Sequence, residues 1–243
     1  MIGPTHKLKL LDLFCGAGGA SLGYEQAGFH VTGVDILPQK NYKGEFIQYD
    51  ALQYLIKFHH LYDVIHASPP CQAYSRASAP HRKNGKTYPD LISPLRDILL
   101  ITEKPYIIEN VRNAPLINPF ILCGSMFNIP TYRHRLFESN VPIKIPFHPK
   151  HIYKSQKYGR PKDTQNPMIS YVGHFSGVEY VQQFTGLTWL TQKELAQSIP
   201  PQYTKYLGTQ ILKSNGIILT HVQLTIPMPK PLKLTHTSPI PDL

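Results

Sequence analysis

The sequence predicts an α/β fold in which a doubly wound, mostly parallel sheet is accompanied by a small loop-rich region. Two observations lead to this fold class. Through residue 138, short apolar runs that end in a polar or glycine residue alternate with stretches of helical pattern. Such alternation is typical of parallel strands joined by helices that cover both faces of the sheet. After residue 140, prolines and lysines replace the alternating pattern.

The individual elements follow from the same pattern. Strands are predicted where apolar residues are continuous, and helices where apolar residues recur at helical spacing. The predicted strands span residues 8–14, 29–34, 45–49, 62–67, 106–108, 120–123 and 136–138. The predicted helices span residues 20–27, 51–60, 89–103, 178–184, 192–197 and 204–212. Gly28 closes the first helix, whereas Pro94 disfavours a regular first turn in the third.

The chain is predicted to have three parts. Residues 1–138 and 177–213 form the main α/β domain, and residues 139–176 form the loop-rich segment. Residues 214–243 contain five prolines and are predicted to be a flexible tail. The sequence shows no signal peptide and no apolar run long enough for a transmembrane helix, so we expect a cytoplasmic protein. We also expect it to be monomeric.

The net charge of the chain indicates the class of partner that it binds. The net charge is +10, which favours a polyanionic partner, although solubility alone is the alternative. The charge is concentrated at residues 76–86 and 144–162. The second stretch interleaves Tyr153 and Tyr158 with Lys150, Lys154, Lys157 and Arg160. Both stretches are candidates for contacts with phosphates and bases, or are solvated loops.

Three cysteines and twelve histidines show no metal-binding spacing. The cysteines form no C-x-x-C pair, and the histidines form no H-E-x-x-H pattern. An odd cysteine count without framework spacing also argues against a secreted disulfide scaffold. We therefore predict no metal. Cys15 and Cys123 are interpreted as structural residues.

The most informative segment is Ser-Pro-Pro-Cys-Gln at residues 68–72, directly after an apolar run. The prolines end the strand and place Cys71 at its carboxyl end, the edge where open α/β sheets carry their chemistry. A cysteine there is a candidate nucleophile, which requires thiolate character and an open approach. A buried structural cysteine is the alternative.

A glycine-rich turn between the first strand and first helix predicts a ligand close to the main chain. It reads Gly-Ala-Gly-Gly at residues 16–19, with Ser21 where the third glycine of a dinucleotide fingerprint would fall. Asp35 and Asp50 end the next two strands, where they can reach ribose hydroxyls and an adenine amino group. A nucleoside without a pyrophosphate fits, and S-adenosylmethionine is the leading candidate. The alternatives are a tight turn and two capping aspartates.

Together these segments resemble the cytosine-5 DNA methyltransferase family, and most closely its short, phage-type members. The resemblance covers roughly residues 8–138 and 177–212. Its most specific part is Pro-Pro-Cys-Gln followed about forty residues later by Glu-Asn-Val. In chain order, the matching segments are residues 12–19, Asp35, Asp50, and residues 69–72, 109–111, 133–135, 177–186 and 206–208.

The resemblance implies a Rossmann-like methyltransferase that uses S-adenosylmethionine to methylate carbon 5 of a cytosine flipped out of double-stranded DNA. Cys71 would attack carbon 6, and Glu109 would hydrogen-bond ring nitrogen 3 and the exocyclic amine. Arg135 would hold the base, and Arg133 would orient the thiolate or the Cys71 loop. For both arginines, a phosphate contact or a salt bridge is the alternative. The implied cofactor-binding residues are Phe14, Gly16, Ala17, Gly18, Gly19, Asp35, Ile36, Asp50, Ala51 and Pro69.

Two features depart from the family pattern. The family usually carries a large target-recognition segment, whereas only residues 139–176 are available here. We therefore predict a short target of roughly two to four base pairs, because each bidentate base contact contributes only about 1–3 kcal/mol of discrimination. In addition, Thr209 and Gln210 follow Gly208 where the family usually has Asn-Ser, so we expect different contacts to the methionine part of the cofactor.

Three other functions stay open beside DNA methylation. A related branch of the family with the same motifs modifies transfer RNA, so structured RNA is a second substrate class. A mononucleotide substrate would leave the basic surplus without a purpose. A non-catalytic nucleic-acid-binding protein is the third alternative, and the intact Cys71, Glu109 and Arg135 argue against it. Association with the nucleoid or phage DNA and a role in restriction-modification are further expectations.

Overall fold

The computed structural model describes residues 7–75, 78–156 and 168–218. Its strands are β1 Lys9–Leu13, β2 His30–Asp35, β3 Glu45–Gln48, β4 Val64–Ala67, β5 Tyr106–Asn110, β6 Phe120–Leu122 and β7 Arg135–Ser139. Its helices are α1 Gly19–Ala27, α2 Ala51–Phe58, α3 Ala79–Lys83, α4 Ile92–Thr102, α5 Val178–Thr185, α6 Gln192–Gln197 and α7 Pro201–Ile218. Two 3₁₀ helices span His59–Leu61 and Gly124–Phe127.

The strands form one seven-stranded sheet in the order β3-β2-β1-β4-β5-β7-β6. Strands β1 to β5 are mutually parallel, and β7 lies antiparallel between β5 and β6. The predicted α/β fold with a mostly parallel sheet is confirmed. The strand order reverses at β1, which pairs with both β2 and β4. Ligands bind at such a switch point in open α/β sheets, outside the carboxyl ends of the strands.

Helices cover both faces of the sheet. One face packs against α1 and α7 around Tyr24 and Tyr203, and the other packs against α2 and α4 around Leu55 and Leu95. A Cβ atom at Gly23 would lie only 2.0 Å from Oγ1 of Thr204 and 2.2 Å from the carbonyl of Pro201. Glycine at this position therefore permits the close approach of α1 to α7.

A third apolar cluster lies beyond the sheet, in the region of α5 and α6. It contains Ala17, Ile169, Tyr171, Phe175, Val181, Leu187, Leu190 and Leu195. Because Ala17 belongs to the glycine-rich turn, this cluster packs the later part of the chain against the carboxyl edge of β1. The later helices therefore stand beside the predicted cofactor site.

The observed elements differ from the predicted ones in several places. Helix α3 and the 3₁₀ helix Gly124–Phe127 were not predicted. The helix predicted over 51–60 ends at Phe58 and is followed by a 3₁₀ helix, and the helix predicted from residue 89 begins at Ile92. Helix α7 begins at Pro201 and runs to Ile218, past the predicted end at residue 212 and into the predicted tail. Pro94 lies in the first turn of α4, where its missing N–H costs no hydrogen bond. Among the described residues, no helix is both long and apolar enough to cross a membrane.

Candidate active site

Cys71 lies on a loop at the carboxyl end of β4 and is partly exposed. The amide of Asn110, the last residue of β5, donates to the carbonyl of Pro69 at 2.9 Å. The carbonyl of Cys71 accepts from the main-chain N–H groups of Tyr74 and Ser75 at 3.0 and 2.9 Å. These bonds hold both sides of the loop, so the thiol has a defined position from which a substrate can reach it.

Glu109 and Arg135 form an ion pair beside this loop. Nε of Arg135 lies 2.9 Å from Oε1 of Glu109, and both side chains are largely buried. This oxygen has no aligned hydrogen-bond donor among the described residues. Burial raises the pKa of Glu109, although the guanidinium groups of Arg135 and Arg133 oppose that rise. The carboxyl group therefore takes up a proton more readily than an exposed glutamate, and it can hydrogen-bond a ligand.

The thiol of Cys71 responds to the same charges. Burial raises its pKa, Glu109 raises it further, and Arg135 and Arg133 lower it. The pKa of Cys71 is raised overall, so the thiol form predominates at neutral pH in this arrangement. Neutralising Glu109 would remove one of the groups that disfavour the thiolate. The charge states of Cys71 and Glu109 are therefore coupled.

Arg133 is buried and makes four hydrogen bonds to main-chain carbonyls. Its guanidinium donates to Ser198 at 3.0 and 2.7 Å, to Ala196 at 2.7 Å and to Tyr171 at 3.1 Å. It also lies over the ring of Tyr171 at 4.3 Å. These contacts tie the start of β7 to the segments around α6. The predicted contact of Arg133 with the Cys71 loop has no counterpart among these bonds, so its effect on Cys71 is through charge.

Sequence reasoning missed a buried hydrogen-bonded chain beneath the site. The hydroxyl of Tyr24 lies 3.0 Å from Nδ1 of His66, and Nε2 of His66 lies 2.9 Å from Oγ of Ser68. Burial lowers the pKa of His66 to about 3, so the ring is neutral. Ser68 in turn hydrogen-bonds Glu109 and lowers the pKa of Glu109. A single histidine within an apolar strand gives no sequence signal for such a role.

The glycine-rich turn forms the other half of the site. Phe14 and Gly16 have φ values of 58° and 50°, and a Cβ on Gly16 would meet no atom within 4 Å. The main-chain N–H of Gly16 donates to Oδ2 of Asp35 at 3.0 Å, and that of Leu37 donates to Oδ1 at 2.9 Å. The turn at the end of β1 is thus held to the end of β2, with open space beside Gly16.

Three further predicted cofactor residues follow the ends of β2 and β3, namely Ile36, Asp50 and Ala51. Ile36 and Leu37 expose 62% and 63% of their surface directly after β2. Asp50 caps α2 by accepting from the N–H of Gln53 at 2.9 Å, which is the alternative interpretation that the sequence left open. Ala51 is buried at the start of the same helix. Exposed aliphatic side chains beside a carboxylate and an open main-chain turn fit a nucleoside, so these residues suit the adenosine part of S-adenosylmethionine.

Ser21 has a structural role where a dinucleotide fingerprint would have glycine. Its hydroxyl donates to the buried carboxylate of Asp12 and accepts from the hydroxyl of Tyr42 at 2.9 Å. Burial raises the pKa of Asp12 to about 7. The serine thus satisfies a buried carboxyl group under the turn.

Part of the predicted basic surface lies on the loop-rich segment. Lys150 and Lys154 are exposed there. Arg76, Lys157, Tyr158 and Arg160 lie outside the described residues.

Comparison with known proteins identifies the family. The family model for C-5 cytosine-specific DNA methylase matches residues 8–115. Type II methyltransferase M.HgiGI of Herpetosiphon aurantiacus is 34% identical over 122 residues, which cover 45% of this chain and 94% of the relative. The chain belongs to the cytosine-5 DNA methyltransferase family.

Two further relatives match over part of their length. Type II methyltransferase M.FnuDI of Fusobacterium nucleatum is 35% identical over 115 residues, which cover 43% of this chain and 33% of the relative. M.HgiDI of Herpetosiphon aurantiacus is 37% identical over 160 residues, which cover 54% of this chain and 51% of the relative. The matches thus span a third to a half of these two relatives.

Two solved structures share the fold over most of the chain. The methyltransferase EhMeth of Entamoeba histolytica superposes with a TM-score of 0.56, at 15% identity, covering 87% of this chain and 99% of that protein. The Dnmt2 methyltransferase of S. pombe superposes with a TM-score of 0.52, at 13% identity, covering 87% and 100%. The fold of this chain is therefore the one that these two proteins share.

Proposed function

We propose that this chain transfers a methyl group from S-adenosylmethionine to carbon 5 of a cytosine flipped out of double-stranded DNA. One observation carries the proposal. A partly exposed Cys71 stands at the carboxyl end of β4, beside the buried pair of Glu109 and Arg135 and next to the turn that suits a nucleoside. Family membership and relatives named Type II methyltransferases support DNA as the substrate.

The chain's own residues perform the steps around the methyl transfer. The Cys71 thiolate forms a bond to carbon 6 of cytosine, and the electron pair of the ring makes carbon 5 nucleophilic. Glu109 hydrogen-bonds ring nitrogen 3 and stabilises the charge that builds on the ring. Bound S-adenosylmethionine supplies the electrophilic methyl group. Loss of the proton on carbon 5 then restores the ring double bond and releases the Cys71 thiolate.

The coupling between Cys71 and Glu109 favours the first step. A proton shared between Glu109 and ring nitrogen 3 reduces the negative charge beside Cys71, and the two arginines then stabilise the thiolate. Base binding would therefore help to activate the nucleophile. Arg135 keeps Glu109 oriented through the ion pair at 2.9 Å, while Arg133 ties the later helices to β7.

The cofactor would lie between the turn at residues 14–19 and the ends of β2 and β3. In this proposal Asp35 binds the ribose, Ile36 contacts the adenine, and the main chain at Gly16 leaves room for the methionine part. Asp50 would reach the adenine amino group from the start of α2. We further propose that residues 139–176 form a reduced target-recognition segment attached to the catalytic domain.

The test is covalent trapping on a substrate that cannot complete the reaction. Duplex DNA of diverse sequence, with 5-fluorocytosine in place of cytosine, should form a stable adduct that depends on S-adenosylmethionine, because fluorine cannot leave as a proton does. Peptide mass spectrometry should place the adduct on Cys71, and Cys71→Ala should form none.

Parallel reactions separate the substrate classes. Tritiated methyl transfer to duplex DNA, transfer RNA and free cytidine nucleotides should favour DNA, and bisulfite sequencing of DNA from expressing cells would give the target. Transfer to RNA alone would establish the second substrate class. No adduct on any fluorinated substrate, despite cofactor binding, would contradict the proposed function.

A further inference from the structure

Four side chains of types that can bind a metal lie together beside the candidate active site, although they come from three separate segments of the chain. Cys123 directly follows β6, His134 directly precedes β7, and His148 and His151 lie on the loop after β7. One ligand atom from each residue lies within 4.8 Å of the other three. The thiol is buried and the three histidines are partly buried.

The spacing of the ligand atoms is close to that around a tetrahedral zinc ion. Sγ of Cys123 lies 3.3 Å from Nε2 of His151, and Nε2 of His134 lies 3.3 Å from Nε2 of His148. Zinc–sulfur bonds of about 2.3 Å and zinc–nitrogen bonds of about 2.0–2.1 Å place tetrahedral ligand atoms about 3.3–3.6 Å apart. Two opposite edges of the tetrahedron already have this length, and small rotations of the histidines would shorten the others.

The four groups also have suitable chemistry. The ring of Tyr132 stacks on that of His151 at 3.6 Å and fixes its orientation. Imidazole and thiolate are ligands that zinc prefers, whereas magnesium and calcium prefer oxygen. A bound zinc ion would deprotonate the Cys123 thiol.

We propose that Cys123, His134, His148 and His151 bind one zinc ion in a structural site. Four protein ligands leave no open position, which distinguishes structural from catalytic zinc. The site differs from the sequence-based expectation of no metal, and it does not depend on the proposed methylation. Its only sequence signals are the pair His-x-x-His at residues 148–151 and the preceding Cys123 and His134.

The position of the ion explains what it would do. It would attach the loop after β7 to His134, which lies between Arg133 and Arg135 in the sequence. That loop has little apolar core of its own, since Phe147 and Ile152 expose 84% and 73% of their surface. Its other ties include the hydroxyl of Tyr132, which donates to the carbonyl of Tyr153 at 2.8 Å. A metal supplies folding free energy where burial cannot.

Elemental analysis of the full chain, purified without chelator, tests the site. We expect about one zinc ion per chain in the wild type, as for a single four-ligand site. Cys123→Ser and His148→Ala should lose it, whereas His60→Ala, at an exposed histidine outside the cluster, should retain it. Wild-type protein without stoichiometric zinc after growth with added zinc, or zinc retained by a His148→Ala/His151→Ala double variant, would overturn the proposal.

Cobalt titration of metal-free wild-type protein identifies the ligands even if a variant fails to fold. Tetrahedral cobalt gives intense visible bands, and a thiolate ligand adds a charge-transfer band. Both should appear in the wild type and in Cys71→Ala, while the charge-transfer band should be absent from Cys123→Ser. Zinc should also raise the melting temperature of wild-type protein and leave that of His148→Ala unchanged. Octahedral cobalt spectra, or no binding by the wild type, would show that the four side chains form only a hydrogen-bonded cluster.

Discussion

Two clusters of four side chains lie side by side in this protein, and only one of them could be predicted. The proposed catalytic cluster contains Cys71, Glu109, Arg133 and Arg135, and the proposed zinc cluster contains Cys123, His134, His148 and His151. Cys71 and Glu109 belong to short motifs at the ends of predicted strands, where parallel pairing brings distant motifs together. Both arginines lie at or just before the start of the antiparallel strand β7, which is beside the end of β5. The zinc ligands come from two strand ends and an irregular loop, and no periodicity connects them.

The same difference explains which parts of the fold were predicted. Strands β1, β2, β4 and β5 lie in mostly apolar runs with recognisable ends, and β3 is a weaker run, so the existence of these strands and a mostly parallel sheet follow from local pattern. The insertion of β7 between β5 and β6 depends on long-range pairing, such as that of Ile108 with Glu138, which leaves no local signal. Helix α3 is too short for a periodic pattern to reveal it.

Within the active site, the sequence identified the residue types but not all of their partners. Cys71 and Glu109 lie where strand ends predict them. The bonds of Arg133 to the carbonyls of Ala196 and Ser198 depend on how the later helices pack, and main-chain acceptors carry no sequence signature. The buried link from Tyr24 through His66 was not predictable for the same reason.

The largest expected effect is the loss of methyl transfer in a Cys71 variant, which should leave the proposed zinc cluster intact. Cys71→Ala should reduce methyl transfer by at least about 10³-fold, because the covalent route is removed. It should leave both cofactor binding and zinc content unchanged, since Cys71 belongs to neither site. A tritiated-methyl assay, calorimetry with S-adenosylmethionine and elemental analysis measure the three quantities. Turnover near the wild-type level would show that Cys71 is structural.

A smaller loss of turnover is expected when the Glu109 carboxylate is replaced. Glu109→Gln retains the shape but not the charge, and should slow turnover by about 10²- to 10⁴-fold. Because Glu109 raises the pKa of Cys71, the variant should also lower that pKa. The pH dependence of Cys71 alkylation, followed by peptide mass spectrometry, should therefore shift toward lower pH. Arg135→Ala is the matched control, because losing its positive charge should shift the dependence the other way.

Asp35→Ala should weaken the binding of S-adenosylmethionine, by a smaller factor than the losses of turnover expected for the Cys71 and Glu109 variants. The lost charged hydrogen bond is worth roughly 1.5–3 kcal/mol, or about 10- to 150-fold in the dissociation constant for S-adenosylmethionine. Asp50→Ala is the comparison, because this residue caps α2 and its loss should also lower stability by about 1 kcal/mol. Calorimetry measures the affinities, and denaturant unfolding measures the stabilities. Unchanged affinity in Asp35→Ala would remove its ribose role.

The smallest effect concerns the loop that the zinc ion would hold. Lys150 and Lys154 are exposed on either side of His151, so a fixed loop would present both to the phosphates of bound DNA. Replacing both with Ala should weaken binding to all sequences alike and reduce the slope of log affinity against log salt by about 2. Lys9→Ala, at the amino end of β1 and so at the opposite edge of the sheet, should leave the slope unchanged.

Removing zinc from the wild type should also reduce the slope, because a loosened loop no longer presents the two lysines together. Fluorescence anisotropy over a series of salt concentrations measures each slope. If the double variant and the metal-free protein both bind DNA with the wild-type slope, the loop does not contact phosphate, and its attachment beside Arg135 serves the fold alone.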